Sequence, residues 1–205
     1  MNQTSLNHPI VEASFAIIDQ EVGDHSYSRE QYHLIRRAIH ATADFDFLNL
    51  FYFSDRAMEK AITAITNQMP IVVDVGMVQK SIQGMVNKTF HNPIICALEA
   101  VKTVPEGKTR TETGLLNCIA DYPDGIYVIG NAPTALLALC DAIAQGKANP
   151  SLVIGAPVGF VSVVESKQAL AKTSVPQIRV DGRKGGSAVA GAMMNALLVL
   201  SAQKG

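Results

Sequence analysis

The chain has no tryptophan, and aromatic residues make up only 6% of its 205 positions, so any interior must be built from aliphatic side chains. Cysteine is nearly as scarce. Cys96, Cys118 and Cys140 form no CxxC pair and have no zinc-ligand spacing, which argues against a disulfide scaffold or a zinc ribbon. They read as buried thiols in a reducing compartment, and the expected location is cytoplasmic. An excess of either charge is missing too. Seventeen Lys+Arg against eighteen Asp+Glu leave a net charge of −1, so no basic field invites nucleic acid. The longest uncharged runs, 148–164 and 187–203, are broken by Pro, Gly or Asn and fall short of a membrane span. The opening MNQTSLNHPIVEAS lacks the charged-then-apolar order of a signal peptide. What is present is 48% hydrophobic residues, enough for a sizeable core in a chain of about one domain's length. No Ser/Gly/Pro-rich linker divides it, so 1–205 reads as a single domain.

Short apolar runs alternate with longer segments of helical period. The runs at 48–53, 71–74, 94–98, 126–129, 152–154 and 178–180 are mostly continuous rather than alternating, as strands buried on both faces of a parallel sheet are. Helix signals fill most of the gaps. Ser28-Arg29-Glu30-Gln31 and Thr109-Arg110-Thr111-Glu112 have capping-box spacing, Ser54 is placed to cap a helix over 55–67, and Pro133 suits a first turn. The alternation predicts an α/β fold, a three-layer α/β/α sandwich, preceded by two helices within residues 1–44.

Three strand ends share a pattern. Gly130-Asn131-Ala132-Pro133-Thr134 and Gly155-Ala156-Pro157-Val158-Gly159 follow two of the runs, and Asp181-Gly182-Arg183-Lys184-Gly185-Gly186-Ser187 follows a third. In an open parallel sheet such loops line one edge, where ligands bind, and helix N-termini there offer N–H groups to anions. The glycines serve equally well to make tight turns, and Asn131 equally well to cap a helix or take a left-handed conformation. On these loops alone, a phosphate- or nucleotide-binding domain is one reading.

His33, Arg37 and His40 recur at i, i+4 and i+7 on the predicted helix 28–42, with Leu34, Ile35, Ala38 and Ile39 on its apolar side. Such a ridge is a solvated polar face or part of a site. His40 stands at the helix end, where the macrodipole favours a positive charge, and a histidine there suits proton donation. No GxSxG, SxxK, HExxH or complete GxGxxG is present, which disfavours a covalent nucleophile, a protein-held metal and a nicotinamide enzyme.

Several segments together resemble a known family. They are 12–18, Arg37-Ala38-Ile39-His40, the GNAPTAL block at 130–136, PVGFV at 157–161, Glu165-Ser166-Lys167 and GRKGGS at 182–187. In this order and spacing they resemble the precorrin-8X methylmutases, including the cobalt-precorrin-8 methylmutases, of cobalamin (vitamin B12) biosynthesis. The resemblance runs from Ser14 to Leu198 and departs at two places. Arg110 is followed by Thr111-Glu112-Thr113 where small residues are usual, and within 79–83 Ser81 replaces a usual glycine.

The resemblance implies a flavodoxin-like, mainly parallel sheet, a homodimer, and an isomerase with no separate cofactor. The implied reaction moves the C-11 methyl group of a contracted tetrapyrrole to C-12, giving hydrogenobyrinate, or cobyrinate when cobalt is present. Carried over by residue, the catalytic histidine falls on His40, and substrate contacts fall on Ser14, Arg37 and the Thr-Arg arginine, Arg110. Arginine suits a substrate with many carboxylate arms because guanidinium binds carboxylate bidentately. Asn131 and Thr134, on the first glycine loop, are further substrate-binding candidates; Lys167 and Arg183 are candidates by charge, and surface salt bridging explains either equally well. A non-catalytic tetrapyrrole carrier is the rival reading, separated from an enzyme by whether His40→Ala abolishes turnover.

Overall fold

The computed structural model describes residues 8–204; residues 1–7 and Gly205, the ends of the expected 1–205 unit, lie outside the described residues. Six strands form one sheet: β1 (Phe51–Phe53), β2 (Ile71–Val73), β3 (Ile94–Cys96), β4 (Ile126–Ile129), β5 (Leu152–Gly155) and β6 (Gln177–Val180). Their order is β1-β6-β5-β4-β2-β3, parallel throughout except that β1 pairs antiparallel with β6. From β2 onward this is flavodoxin-like winding, whose switch point lies between the first and third parallel strands, here β2 and β4.

The strands read as unbroken apolar runs because both faces are covered. Ile71, Val73, Ile126, Val128 and Ile154 pack on one side, and Val72, Tyr127, Ile129 and Val153 on the other. The first side holds α3 (Ala57–Thr66), α4 (Gly76–Lys88) and α8 (Ser187–Lys204); the second holds α5 (Arg110–Asp121), α6 (Pro133–Ala144) and α7 (Val163–Ala171). Helix α8 is buried almost all round, Met193 and Met194 included, because α2 (Arg29–Thr42) packs on its outer side. Helix α1 (Pro9–Val22) lies against α2, and both join the same apolar core through Phe15, Leu34 and Ile35.

Both capping boxes form, at Ser28 with Gln31 and at Thr109 with Glu112. Two expectations change. Strand β1 begins at Phe51 rather than residue 48, because Asp44 caps a 3-10 turn over Phe45–Asn49. Ser54 does not cap α3, which starts after left-handed Arg56; its hydroxyl instead accepts from the Gln177 N–H at 2.9 Å and ties β1 to β6.

Candidate functional site

Strand direction gathers the relevant loops. The carboxyl ends of β2, β4, β5 and β6 share one edge, and antiparallel β1 starts there, since Phe51 pairs with Val180. The C-terminal turn of α2, which carries His40, leads through the 3-10 turn into β1 and so reaches this edge. Helix α5 precedes β4, which puts its N-terminal residue Arg110 there as well.

Arg37 and His40 come together around Phe15, the residue after Ser14. The His40 ring is exposed and lies edge-on to Phe15, with centroids 5.4 Å apart. The Arg37 guanidinium is 5.6 Å from the same ring, half-buried; burial lowers its pKa, Glu12 opposes this, and Arg36 adds to it. Ser14, beside Phe15 on α1, donates its hydroxyl to the Ile10 carbonyl at 2.9 Å, which leaves the oxygen as an acceptor. His33 shares the ridge but not the environment. Burial, then the charges of Arg37, Arg36 and Arg29, push it down to about 4, so it is neutral at pH 7. The ridge is therefore not a uniformly solvated face: His33 and Arg37 are half-buried, whereas His40 is exposed. Ala43, three residues on, takes a left-handed φ of 53° and ends the helix there.

Arg110, Asn131 and Thr134 form a second group. The Thr134 hydroxyl is 2.8 Å from that of Thr109, the N-cap residue directly before Arg110. Arg110 is exposed, and its guanidinium pairs with no carboxylate among the described residues. The anion-binding expectation for this loop is corrected. The N–H groups of Gly130, Asn131 and Ala132 all donate to Oδ2 of Asp74, at 3.2, 2.6 and 2.8 Å, across the switch point. These three N–H groups are not available to a phosphate, which takes the first of the three loops away from the nucleotide-binding reading. The glycines have packing reasons as well. A Cβ at Gly130 would lie 2.9 Å from Ala190 and Ser187, and one at Gly185 2.3 Å from the Ala156 carbonyl. Asn131 does not take the left-handed conformation, and the N-cap of α6 is Ala132. The Asn131 side chain is exposed.

The third loop is held from below. Lys167 is buried, and its ammonium donates to the carbonyls of Gly182 and Lys184, each at 2.8 Å. Burial brings its pKa down to about 8, against the pull of Asp181. This corrects its expected role as a substrate contact. Arg183 remains outward, stacked 5.6 Å over the exposed ring of Phe160. Among the described residues, no cluster of His, Cys, Asp or Glu could hold a metal ion, and no helix is long and apolar enough to cross a membrane. A cleft of about 390 Å³ between α1, α2 and α8 is lined by His33 and Arg36, but not by His40.

The sequence profile of the family described as precorrin-8X methylmutase matches residues 9–200. A cobalt-precorrin-8 methylmutase of Synechocystis is 51% identical over 98% of this chain and 99% of its own length. A precorrin-8X methylmutase of Sinorhizobium is 36% identical over 92% of each chain. The crystal structure of a precorrin-8X methylmutase from Thermus thermophilus superposes with a TM-score of 0.87 at 41% identity, covering 96% of this chain and 97% of that one. The chain belongs to the precorrin-8X methylmutase family. It is a methylmutase, an isomerase of cobalamin biosynthesis.

Within that family the Ser81 departure has a local explanation. The Ser81 hydroxyl, which donates to the Val78 carbonyl at 2.7 Å, sits 2.1 Å from where a Cβ of Gly191 would be. Helix α8 thus accommodates the larger residue on α4 by having glycine opposite. Two groups that shape this methylmutase site escaped the sequence reading: Asp74, which looks like the polar end of a strand, and Phe15, which looks like any core residue. The signal for Asp74 was a lone acid directly after the IVV run.

Proposed function

We propose that the enzyme moves the C-11 methyl group of precorrin-8X to C-12, giving hydrogenobyrinate, or makes the same shift in cobalt-precorrin-8, giving cobyrinate. The relatives are named for these two substrates. His40 is the proton donor. The observation that carries this assignment is the contrast along α2: His40 is exposed beside Arg37, whereas His33 is covered and neutral. A methyl shift within a conjugated ring needs no oxidant and no external nucleophile. As a [1,5]-sigmatropic shift it is eased when a ring nitrogen or a neighbouring atom takes up a proton. The His40 imidazolium supplies that proton, and its return leaves product and substrate as isomers. General acid catalysis of this kind is worth about 10²–10⁴-fold. The rest comes from holding the macrocycle in its reactive shape.

Arg37 and Arg110 bind carboxylate arms of the substrate, with Ser14, Asn131 and Thr134 as polar contacts. A macrocycle more than about 10 Å across overfills an ordinary single-chain pocket. We therefore take residues 1–205 as one domain that works as a homodimer, with the site completed at the twofold interface. Exposed Met77, Val158, Phe160 and Val161 along the carboxyl edge support this, being apolar surface of the kind that association covers. A monomeric mass by light scattering at assay concentration would sink the dimer. The three free, buried cysteines support a cytoplasmic location. The test of the main proposal is His40→Ala, with isomerisation followed by absorbance. Turnover should fall by about 10²–10⁴-fold while corrinoid affinity is largely kept. Undiminished turnover would remove His40 from the mechanism, and a wild-type protein that binds without turnover would be the carrier.

A further inference from the structure

We propose that Asp74 is a positioning residue for the methyl transfer, acting through Asn131 and Thr134 by fixing the loop that presents them. This rests on the reading of those two residues as substrate contacts. Three successive N–H groups converge on one carboxylate oxygen of a side chain 56 to 58 residues away in sequence. Those of Gly130 and Asn131 belong to the loop before α6 and that of Ala132 to its N-cap residue, so none has a partner within the helix. Its N-cap residue, Ala132, supplies no side-chain cap, and Pro133 has no N–H to give. Asp74, directly after β2, thus anchors the loop that leads from β4 into α6.

The choice of residue is informative. A serine or asparagine at position 132 caps a helix locally without burying a charge. Here a fully buried carboxylate from another element holds the approach to the helix instead, although burying a charge is costly. A carboxylate accepts hydrogen bonds and donates none, so it turns all three N–H groups inward at once. The Asn131 side chain is left exposed on an immobilised backbone, and the Thr134 hydroxyl stays 2.8 Å from that of Thr109, beside Arg110. Groups that contact a substrate act best when their own support is rigid. Oδ1 of Asp74 has no hydrogen-bond partner, so the hold on the loop runs through Oδ2 alone.

The test is a double-mutant cycle of Asp74→Asn and Asn131→Ala, assayed as the folded enzyme with cobalt-precorrin-8 as the probe. Asp74→Asn should raise KM about tenfold or more with kcat within about threefold, and the double variant should be no worse than the poorer single one. A purely structural Asp74 would instead lower kcat in step with the folded fraction and leave KM alone, which overturns the proposal. Effects that multiply independently overturn it as well. If Asn131→Ala raises KM and Asp74→Asn does not, the positioning role fails while the contact reading survives. If Asn131→Ala leaves KM unchanged, the contact reading itself has failed and takes the proposal with it. Should Asp74→Asn not accumulate, Gly130→Ala displaces the same loop by crowding Ala190 and Ser187 with Asp74 intact. An unchanged KM in that variant overturns the proposal too.

Discussion

The ammonium of Lys184 lies 2.6 Å from the carboxylates of both Asp44 and Asp46, so the turn that follows His40 is tied to the loop that follows β6. The tie reinforces a turn already set by left-handed Ala43 and by the Asp44 cap on Asp46. Its partners are largely in solvent, and exposed pairs contribute little to stability and weaken with salt. Lys184→Ala should therefore leave the thermal midpoint nearly unchanged while slowing turnover several-fold. Steady-state rates at low and high ionic strength check this: added salt should narrow the gap between wild type and variant. A variant as fast as wild type at low salt would show that the His40 turn needs no tether.

Lys167 holds the same loop from inside the protein, and there the cost of loss is larger. Lys167→Met keeps the apolar stem but leaves the Gly182 and Lys184 carbonyls without their donor. A hydrogen bond from a charged donor contributes about 1.5–3 kcal/mol, and because Gly182 and Lys184 are exposed, water replaces part of it, so denaturant unfolding should show a loss of about 1–2 kcal/mol. Amide exchange at residues 182–186 should quicken more than exchange in the β4–β5 core. Uniform quickening would mean that Lys167 supports the whole fold rather than this loop.

What could be read from the chain follows how local each cause is. All six strands were legible because a strand covered on both faces leaves an uninterrupted apolar run, and both capping boxes because their partners are three residues apart. The 3-10 turn before β1 was hidden in a run that looked continuous from Leu48 to Phe53. Ser54 was misread because its partner, Gln177, lies 123 residues away. The site followed the same rule. Spacing put His33, Arg37 and His40 on one ridge, but did not show the packing of α1, which sets Phe15 against both His33 and His40. Asp74 and the loop it holds meet only after the sheet has formed.

The contact between Ser81 and Gly191 predicts a change of sign. Gly191→Ala alone puts a Cβ 2.1 Å from the Ser81 oxygen and 3.0 Å from its Cβ. Overpacking of this kind costs about 1–3 kcal/mol, more than the roughly 1 kcal/mol that alanine gains over glycine within a helix. The single variant should be less stable than wild type by about 1–2 kcal/mol. In a Ser81→Gly background the obstruction is gone, and Gly191→Ala should be neutral or stabilising by up to about 1 kcal/mol. Urea midpoints of the four proteins give the cycle. Equal losses in both backgrounds would show that Ser81 is not what keeps position 191 small.

His33 predicts how stability depends on acidity. Its value in the folded protein, pushed down to about 4 by burial and the nearby arginines, lies below the ordinary histidine value of 6.5. Between these two values the unfolded chain holds a proton that the folded chain does not, so stability rises with pH across this window. The contribution is full above about pH 6.5 and is lost as pH falls through about 4. Because the ring is only half-buried, solvent screening brings the total to about 1–2 kcal/mol. His33→Gln removes the titrating group but keeps a polar side chain among Glu12 and Asp19 of α1, Arg29, Arg36 and Arg37 of α2, and Gln203 of α8. Carboxylates common to both proteins cancel in the difference. Urea unfolding at pH 7.0, 5.5 and 4.5 should therefore show wild type losing about 1–2 kcal/mol more than His33→Gln on acidification. Parallel losses would mean that His33 takes up its proton in the folded protein as readily as in the unfolded one. The neutrality of His33, one half of the contrast along α2 that supports the proton-donor assignment, would then be lost.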